Sequence, residues 1–308
     1  MTNPVRSATA QQRLNIATFV AIALIGGGNP VGVAIVVDEL APFWAAAIRF
    51  LTAGAIFALA MLVFRVPVPR GRALVGGLVY GLFGFFGAFA FLFIGLQDTP
   101  PGTSQVIIAL VPLITLFLAV AHGLERFRLR ALVGALIALA GLVFLVADRL
   151  SADVPLPSML AVLAGAALLA ESGVVVKLTP RAHPAASNAV GMLSGGALLL
   201  LLAAVSGETF AAPSQADTWA AMVFLVLGGS VAVFSLFVFL LGRWSVSAVS
   251  YTLLLQPLAT IAYAAILTHE PITPALFIGA AIILVGVYVG AFSAVRAAPT
   301  AEAPPTTA

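Results

Sequence analysis

The sequence predicts an all-α integral membrane protein of ten transmembrane helices, arranged as two five-helix repeats inserted in opposite senses. Three observations predict it. Hydrophobic residues make up 62% of the 308-residue chain and charged residues 8%, and the mean hydropathy is +1.16. Soluble domains hold about 45–50% apolar and about 25% charged residues. Punctuation recurs at one spacing: Pro112, Glu125, Gly134 and Gly141 return 145 residues later as Pro257, Glu270, Gly279 and Gly286, and the same offset carries Gly84 onto Gly229. Repetition of this kind marks two copies of one unit. Lastly, the basic residues gather in every second loop between the apolar runs.

Residues 1–13, with Arg6 and Arg13, read as a disordered cytoplasmic lead. The first apolar run, 14–37, is too long for a signal-peptide core and has no small-residue cleavage site after it, so it reads as a retained helix. Runs at about 42–64, 72–96, 100–121 and 129–147 complete a first repeat over 14–147. A linker at 148–156 leads into a second repeat over 157–295, with runs at about 157–178, 185–206, 217–241, 246–268 and 273–295. Each run approaches the ~20 residues that a helix needs to cross ~30 Å of hydrocarbon, and the alternation of barrel strands is not seen. The tail at 296–308 is rich in Pro, Ala and Thr and reads as disordered.

Numbering the loops alternately places Arg6, Arg13, Arg65, Arg70, Arg72, Arg126, Arg128, Arg130, Lys177, Arg181, Arg243 and Arg296 on one side of the membrane. The other side holds Arg149 with Asp38, Glu39, Asp98, Asp148, Asp153, Glu208, Asp217 and Glu270. Cytoplasmic loops carry the excess of Lys and Arg, so both termini are expected in the cytoplasm; the inner membrane is the expected location. An odd number of spans per repeat then inverts the second copy relative to the first. Inverted repeats around a midplane site are the architecture of many secondary transporters. Duplicated bundles without transport are the plainer alternative.

Polar residues in so apolar a chain are the candidates for a site. Aligning Pro42 with Pro184 brings Asn29 onto Glu171, both past the middle of the first helix of their repeat. Glu171, with Ser172 beside it, is the acid placed deepest in an apolar run, and ionisable groups at such depth point to function. Two roles are open for it, binding a substrate amine or carrying a coupling proton, against a structural hydrogen bond between helices. The GGGNP run ending in Asn29 and Pro30 predicts a break or hinge, because Pro30 lacks an N–H and crowds the carbonyl of Gly26. Gly26, Gly27 and Gly28 fit either an unwound substrate-holding segment or close packing on a neighbour. The second repeat has Leu168, Leu169 and Ala170 at the matching places and no such break.

Arg49 enters span 2 from the outer side and either snorkels to the interface or faces a cavity, where it would bind a carboxylate. Pro112 and Pro257 predict kinks in spans 4 and 9, as hinges or as static bends, next to Ser250, Tyr251, Thr252 and Gln256. Of Tyr80, Phe83, Phe86, Phe89 and Phe93 in span 3, and Phe234, Phe237 and Trp244 in and after span 8, most are expected to face lipid or neighbouring helices, and a subset lining a cavity would favour amphipathic solutes. The substrate-binding candidates are therefore Asn29, Arg49, Tyr80, Glu171, Ser172, Tyr251 and Gln256, with Gly28, Pro30, Pro112 and Pro257 as hinges. Glu125 and Glu270 precede spans 5 and 10, where a helix N-terminus favours an acid.

The pattern GNPVGVAIVVDELAPFWAAAIRF, the run HGLE followed by RFRLRALVGALIALAGLVFLVA, and the echo ILTHEPITPALFIGAAIILVGVYVGAF resemble EamA-type members of the drug/metabolite transporter superfamily over about 14–295. The resemblance implies a ten-helix carrier that moves small metabolites, often outward, with the first four helices of each half around the cavity and the fifth peripheral. It also implies the Arg-Phe pair, matched here by Arg49 and Phe50. The glycine spacings of spans 5 and 10 suit close helix packing, in agreement with a peripheral role.

The leading expectation is an exporter of amino acids or similar amphipathic metabolites, with protons as a candidate coupling ion. A multidrug, nucleobase or sugar-derivative carrier of the same fold is the alternative. A channel is a third reading. An intramembrane enzyme fits poorly: His122, His183 and His269 fall at helix ends or in loops, and there is neither an H-E-x-x-H pair nor a P-loop. No cysteine is present, and no metal or cofactor is expected. The net charge of +3 is spread over short loops and does not suggest nucleic acid.

Overall fold

The computed structural model describes residues 4–99, 101–147, 150, 154–268 and 274–292. Among the described residues, nine helices are long and apolar enough to cross a membrane: α1 (Ala10–Val37), α2 (Pro42–Val63), α3 (Arg72–Leu96), α4 (Thr103–Ala121), α5 (Leu129–Val146), α6 (Leu156–Leu178), α7 (Pro184–Val205), α8 (Ala216–Leu241) and α9 (Val246–Tyr263). A tenth apolar helix, α10 (Leu276–Ala291), is shorter among the described residues. No strand occurs among the described residues. In hydrocarbon the backbone must satisfy its own hydrogen bonds, which is why apolar runs of this length fold as helices.

Helical structure begins at Pro4, so residues 4–13 extend the first helix and are not the disordered lead expected of them. Proline is tolerated in a first helical turn, and the Ala, Gln and Arg residues that follow continue a helix already nucleated by the span. Glu270, His269, Asp148, Arg149, Asp153 and the tail at 296–308 lie outside the described residues.

The helices pair across the two halves, and small residues set the closest approaches. A Cβ at Gly54 of α2 would meet the backbone N of Leu193 of α7 at 3.0 Å, and one at Gly196 of α7 that of Leu51 at 3.1 Å. In α5 and α10, a Cβ at Gly286 would meet the carbonyl of Gly134 at 2.6 Å, and one at Gly141 the N of Ile283 at 2.9 Å. Helix α6 lies against α3 and α4, while α1 lies against α8 and α9. The contacts of one half are thus mirrored in the other, with α5 and α10 packed together at the edge. Lipid tails are as apolar as leucine, so this close packing, rather than exclusion of water, holds such helices together.

The helices break where the sequence punctuates them. Helix α1 is interrupted at Gly28, and α6 runs unbroken from Leu156 to Leu178. Helix α4 is broken at residues 109–110, just before Pro112. Helix α9 is broken at Tyr251, while Pro257 lies inside the helix that follows. Helices α3 and α8 each contain a π-helical segment, Gly81–Gly87 and Leu227–Ala232, and the 145-residue offset lays one almost onto the other. Such segments free backbone carbonyls for other partners and recur at functional sites.

Candidate functional site

A cavity of about 160 Å³ lies between the halves. It is lined from α1 (Ile22, Asn29), α2 (Arg49), α3 (Phe89), α4 (Val111, Thr115), α6 (Leu169, Ser172), α8 (Phe234, Phe237) and α9 (Ser250, Thr252, Gln256), among others. Among the described residues, α5, α7 and α10 contribute nothing to this lining. Drug-sized ligand pockets are about 300–1,000 Å³, so this one suits a small solute.

Among the described residues of the lining, Arg49 is the only charged side chain, and it is 4% exposed. Its Nε donates to Ser230 Oγ at 2.8 Å, and one terminal nitrogen donates to Asn29 Oδ1 at 3.0 Å and to the Gly229 carbonyl at 3.1 Å. The carbonyl and hydroxyl partners lie in the π-helical segment of α8. The guanidinium also lies 5.1 Å from the ring centre of Phe50 and 5.8 Å from that of Phe89. Among the described residues no carboxylate pairs with it. A buried cation needs compensation; here neutral oxygens and aromatic faces supply it, and the charge remains available to an anion. A Cβ at Gly229 would overlap Asn29 Oδ1 and lie 3.0 Å from Arg49, so the glycine makes room for the cluster.

Around this charge the lining rings of Phe89 and Phe234 are backed by the buried rings of Phe50 and Phe85. Phe50 and Phe89 meet at 4.7 Å between ring centres, Phe50 and Phe85 at 5.0 Å, and Phe85 and Phe234 at 4.9 Å. Gln256 reaches the cavity beside the α1 break, and a Cβ at Gly26 would come within 2.5 Å of its Nε2. At the same break Thr260 Oγ1 donates to the Gly27 carbonyl at 2.7 Å. Gly26 and Gly27 therefore let α9 approach closely, Gly28 faces Phe224 of α8, and the run leaves a break beside the cavity with Asn29 in its lining.

Of the residues expected to bind substrate, Asn29, Arg49, Ser172 and Gln256 come together on this cavity, and Tyr80, Glu171 and Tyr251 are turned elsewhere. Tyr80 lines a second cavity of about 600 Å³, with Lys177, Thr179, Arg181, Ser187 and Arg243. Its hydroxyl donates to Asn188 Oδ1 at 3.4 Å. Tyr251 is buried and donates to the Ala131 carbonyl, in space left by Gly290. Glu171 faces α4, with Oε1 3.4 Å from His122 Nε2. The aligned pair Asn29 and Glu171 therefore do not share this cavity. Thr115 and Ser230 were not among the expected residues; the only local signals were a hydroxyl one turn after Pro112 and a serine beside the repeated Gly229.

The second cavity opens among basic residues. Lys177 Nζ donates to the carbonyls of Leu241 and Trp244, the latter at 2.8 Å, and Arg181 to that of Gly242 at 3.3 Å, so both cations close the C-terminal end of α8. A third cavity, of about 630 Å³, has Asp38, Glu39 and Asp217 in its lining, with Gly28. Glu39 accepts hydrogen bonds from the Ser214 hydroxyl at 2.6 Å and from the Ser214 N–H. The Ser214 hydroxyl, with that of Thr218 and the Ser214 N–H, pulls its carboxyl down to about 2. Other acids also receive helix starts: Glu208 accepts from the N–H groups of Phe43 at 3.1 Å and Trp44 at 2.7 Å. Glu125, expected to serve the start of α5, instead accepts from the N–H of Ser247 at 3.0 Å and from its hydroxyl, at the start of α9. The N-terminal dipole argument holds, but tertiary packing chose the helix. Among the described residues no group of three or more His, Asp or Glu gathers as for a metal.

Residues 13–147 and 156–291 each match the EamA-like transporter family. Over 222 residues the chain is 26% identical to a protein of Escherichia coli strain K12 named uncharacterized inner membrane transporter YedA, covering 72% of each chain. Over 283 residues it is 24% identical to the probable amino-acid metabolite efflux pump of the same strain, covering 88% of this chain and 92% of that one. A crystal structure of a protein with 24% sequence identity matches with a TM-score of 0.79 over 92% of this chain and 98% of that one, and so shares the fold. With both halves matched, this multi-pass membrane protein belongs to the EamA-like transporter family.

Proposed function

We propose that the chain is a secondary transporter that exports small amphipathic metabolites, amino acids foremost, by alternating access, from an inner membrane in which both termini face the cytoplasm. One observation carries the reading: Arg49 stands buried in a small cavity between the halves whose other polar lining is uncharged, with no carboxylate among the described residues paired to it. A carboxylate on the solute would complete that charge in a bidentate contact. The aromatic walls receive an apolar side chain. The name of the Escherichia coli efflux pump relative agrees with this assignment and stands behind the choice of amino acids as first ligands.

Protons are the proposed coupling ion, carried by His122 and Glu171. The His122 Nδ1 lies 2.9 Å from the Leu118 carbonyl, which can only accept, so Nδ1 holds a proton. Nε2 and the carboxylate then meet favourably only when a further proton lies on one of them. The pair joins α4 to α6, and so one half to the other.

The test is efflux from proteoliposomes loaded with a mixture of labelled amino acids, against protein-free vesicles. Selective loss of neutral amino acids, with saturable counterflow, supports the carrier; unsaturable flux would make it a channel. If no amino acid leaves, the amino-acid assignment fails, and drugs, nucleobases and sugar derivatives are the next solutes to load.

A further inference from the structure

The hydroxyls that line the cavity are not equivalent to free hydroxyls. Ser172 Oγ donates to the Leu169 carbonyl at 2.7 Å, Ser250 Oγ to the Ser247 carbonyl at 2.7 Å, and Thr252 Oγ1 to the Val249 carbonyl at 2.9 Å. A hydroxyl has one proton, and in all three it is committed to the carbonyl three residues back in the same chain segment. What remains on each oxygen is lone pairs. Thr115, 2% exposed and in the same lining, has no partner for its Oγ1 among the described residues. Apart from Arg49 and the amides of Asn29 and Gln256, then, the polar lining is hydroxyl oxygens, three of them left as acceptors and none of them charged.

We infer that Ser172, Ser250 and Thr252, with Thr115 beside them, form an acceptor subsite that receives the ammonium group of a zwitterionic solute whose carboxylate lies on Arg49. The inference rests on the reading of this cavity as the site of carriage. An ammonium taken out of water must recover three hydrogen bonds, and three committed hydroxyls offer three acceptors. Neutral acceptors also suit the site better than an acid would. A fixed carboxylate in so small a cavity would pair with Arg49 and compete with the solute's own carboxylate. Lone pairs leave that cation available and hold the ammonium by charge–dipole contact, which releases more readily than an ion pair. The cavity is therefore selective for solutes that carry both groups on one end and an apolar body on the other, and it disfavours simple carboxylates and simple amines.

Three ligands separate the two ends: L-phenylalanine, 3-phenylpropionate, which lacks the ammonium, and phenethylamine, which lacks the carboxylate. Their binding would be measured on the full chain in nanodiscs by equilibrium competition. The expected result is that phenylalanine binds about tenfold or more tightly than either analogue, since each lost charged hydrogen bond costs a factor of that order. The double variant Ser250→Ala, Thr252→Val should bring phenylalanine down to the level of phenylpropionate and leave phenylpropionate itself unchanged; Thr252→Ser, which keeps the hydroxyl, should bind like the parent. Equal binding of phenylalanine and phenylpropionate, or a variant that weakens both alike, would overturn the subsite while leaving Arg49 as a carboxylate site. If none of the three binds, or if Arg49→Gln leaves phenylalanine binding intact, the reading of the cavity fails, and the subsite with it.

Discussion

Arg49 and Ser230 stand 181 residues apart in the chain and 2.8 Å apart in the structure, and the bond between them ties α2 of the first half to the π-helical segment of α8 in the second. With Asn29 and the Gly229 carbonyl it holds the guanidinium against the cavity wall. Ser230→Ala removes the partner of a buried charged donor, which costs about 1.5–3 kcal/mol. Counterflow of a transported amino acid should fall by about tenfold or more, the rate equivalent of that energy. Arg49→Lys keeps the charge but not the planar set of donors, and it should lose at least as much. Full activity in both variants would remove the cluster from the mechanism.

Gly229→Ala tests the space rather than the charge. The added methyl would overlap Asn29 and crowd Arg49. Overpacking of this kind typically costs about 1–3 kcal/mol, and the backbone of the π-helical segment cannot yield freely. Transport should drop while the protein still inserts and folds, as read by its melting temperature and size-exclusion profile. Gly84→Ala in α3 is the informative partner, because there the nearest atoms belong to Ser172 at 3.0 Å.

The α5–α10 seam makes a prediction about stability alone. Gly286→Val would press a branched side chain onto the Gly134 carbonyl and the Ala138 backbone. The expected outcome is a clear fall in melting temperature in detergent, with residual transport in the fraction that remains folded, since neither helix lines the cavity. A variant that melts like the parent would show that the seam tolerates separation.

Glu39 supplies a pH dependence whose sign can be worked out. Its carboxyl is held at about 2 against an ordinary 4.5, chiefly by the Ser214 hydroxyl. A lowered folded value means that the stabilisation is complete above about 4.5 and is lost as pH falls towards about 2. Ser214→Ala should therefore melt earlier than the parent at neutral pH, and the gap should close as the solution is acidified through that window. A gap that stays constant down to the acid end would mean that Ser214 acts through packing.

Glu171→Gln and His122→Asn should flatten the dependence of transport on an imposed pH gradient while sparing exchange at equal pH. The measurement is uptake into proteoliposomes with and without the gradient. If both variants respond to the gradient like the parent, the proton is carried elsewhere or not at all.

The class of the protein, its helices and its duplication were legible in the sequence, because each depends on quantities that are local or periodic. Apolar length sets a span, Gly28 with Pro30 sets a break, and a glycine spacing repeated at 145 residues sets a close-packed pair of helices. Arg49 and Asn29 stood out because polar groups are rare in such runs. The direction in which each polar side chain points was decided only by the tertiary structure. Glu171 and Ser172 are neighbours in sequence, yet one meets His122 and the other the cavity, because successive residues on a helix point about 100° apart. In a soluble helix the apolar stripe would have shown which face is inward. In a membrane both lipid and protein interior are apolar, so that signal vanishes, and the faces of α3, α6 and α9 could not be read. The same loss hid Thr115 and Ser230, which packing between the two halves carried to the cavity and to Arg49.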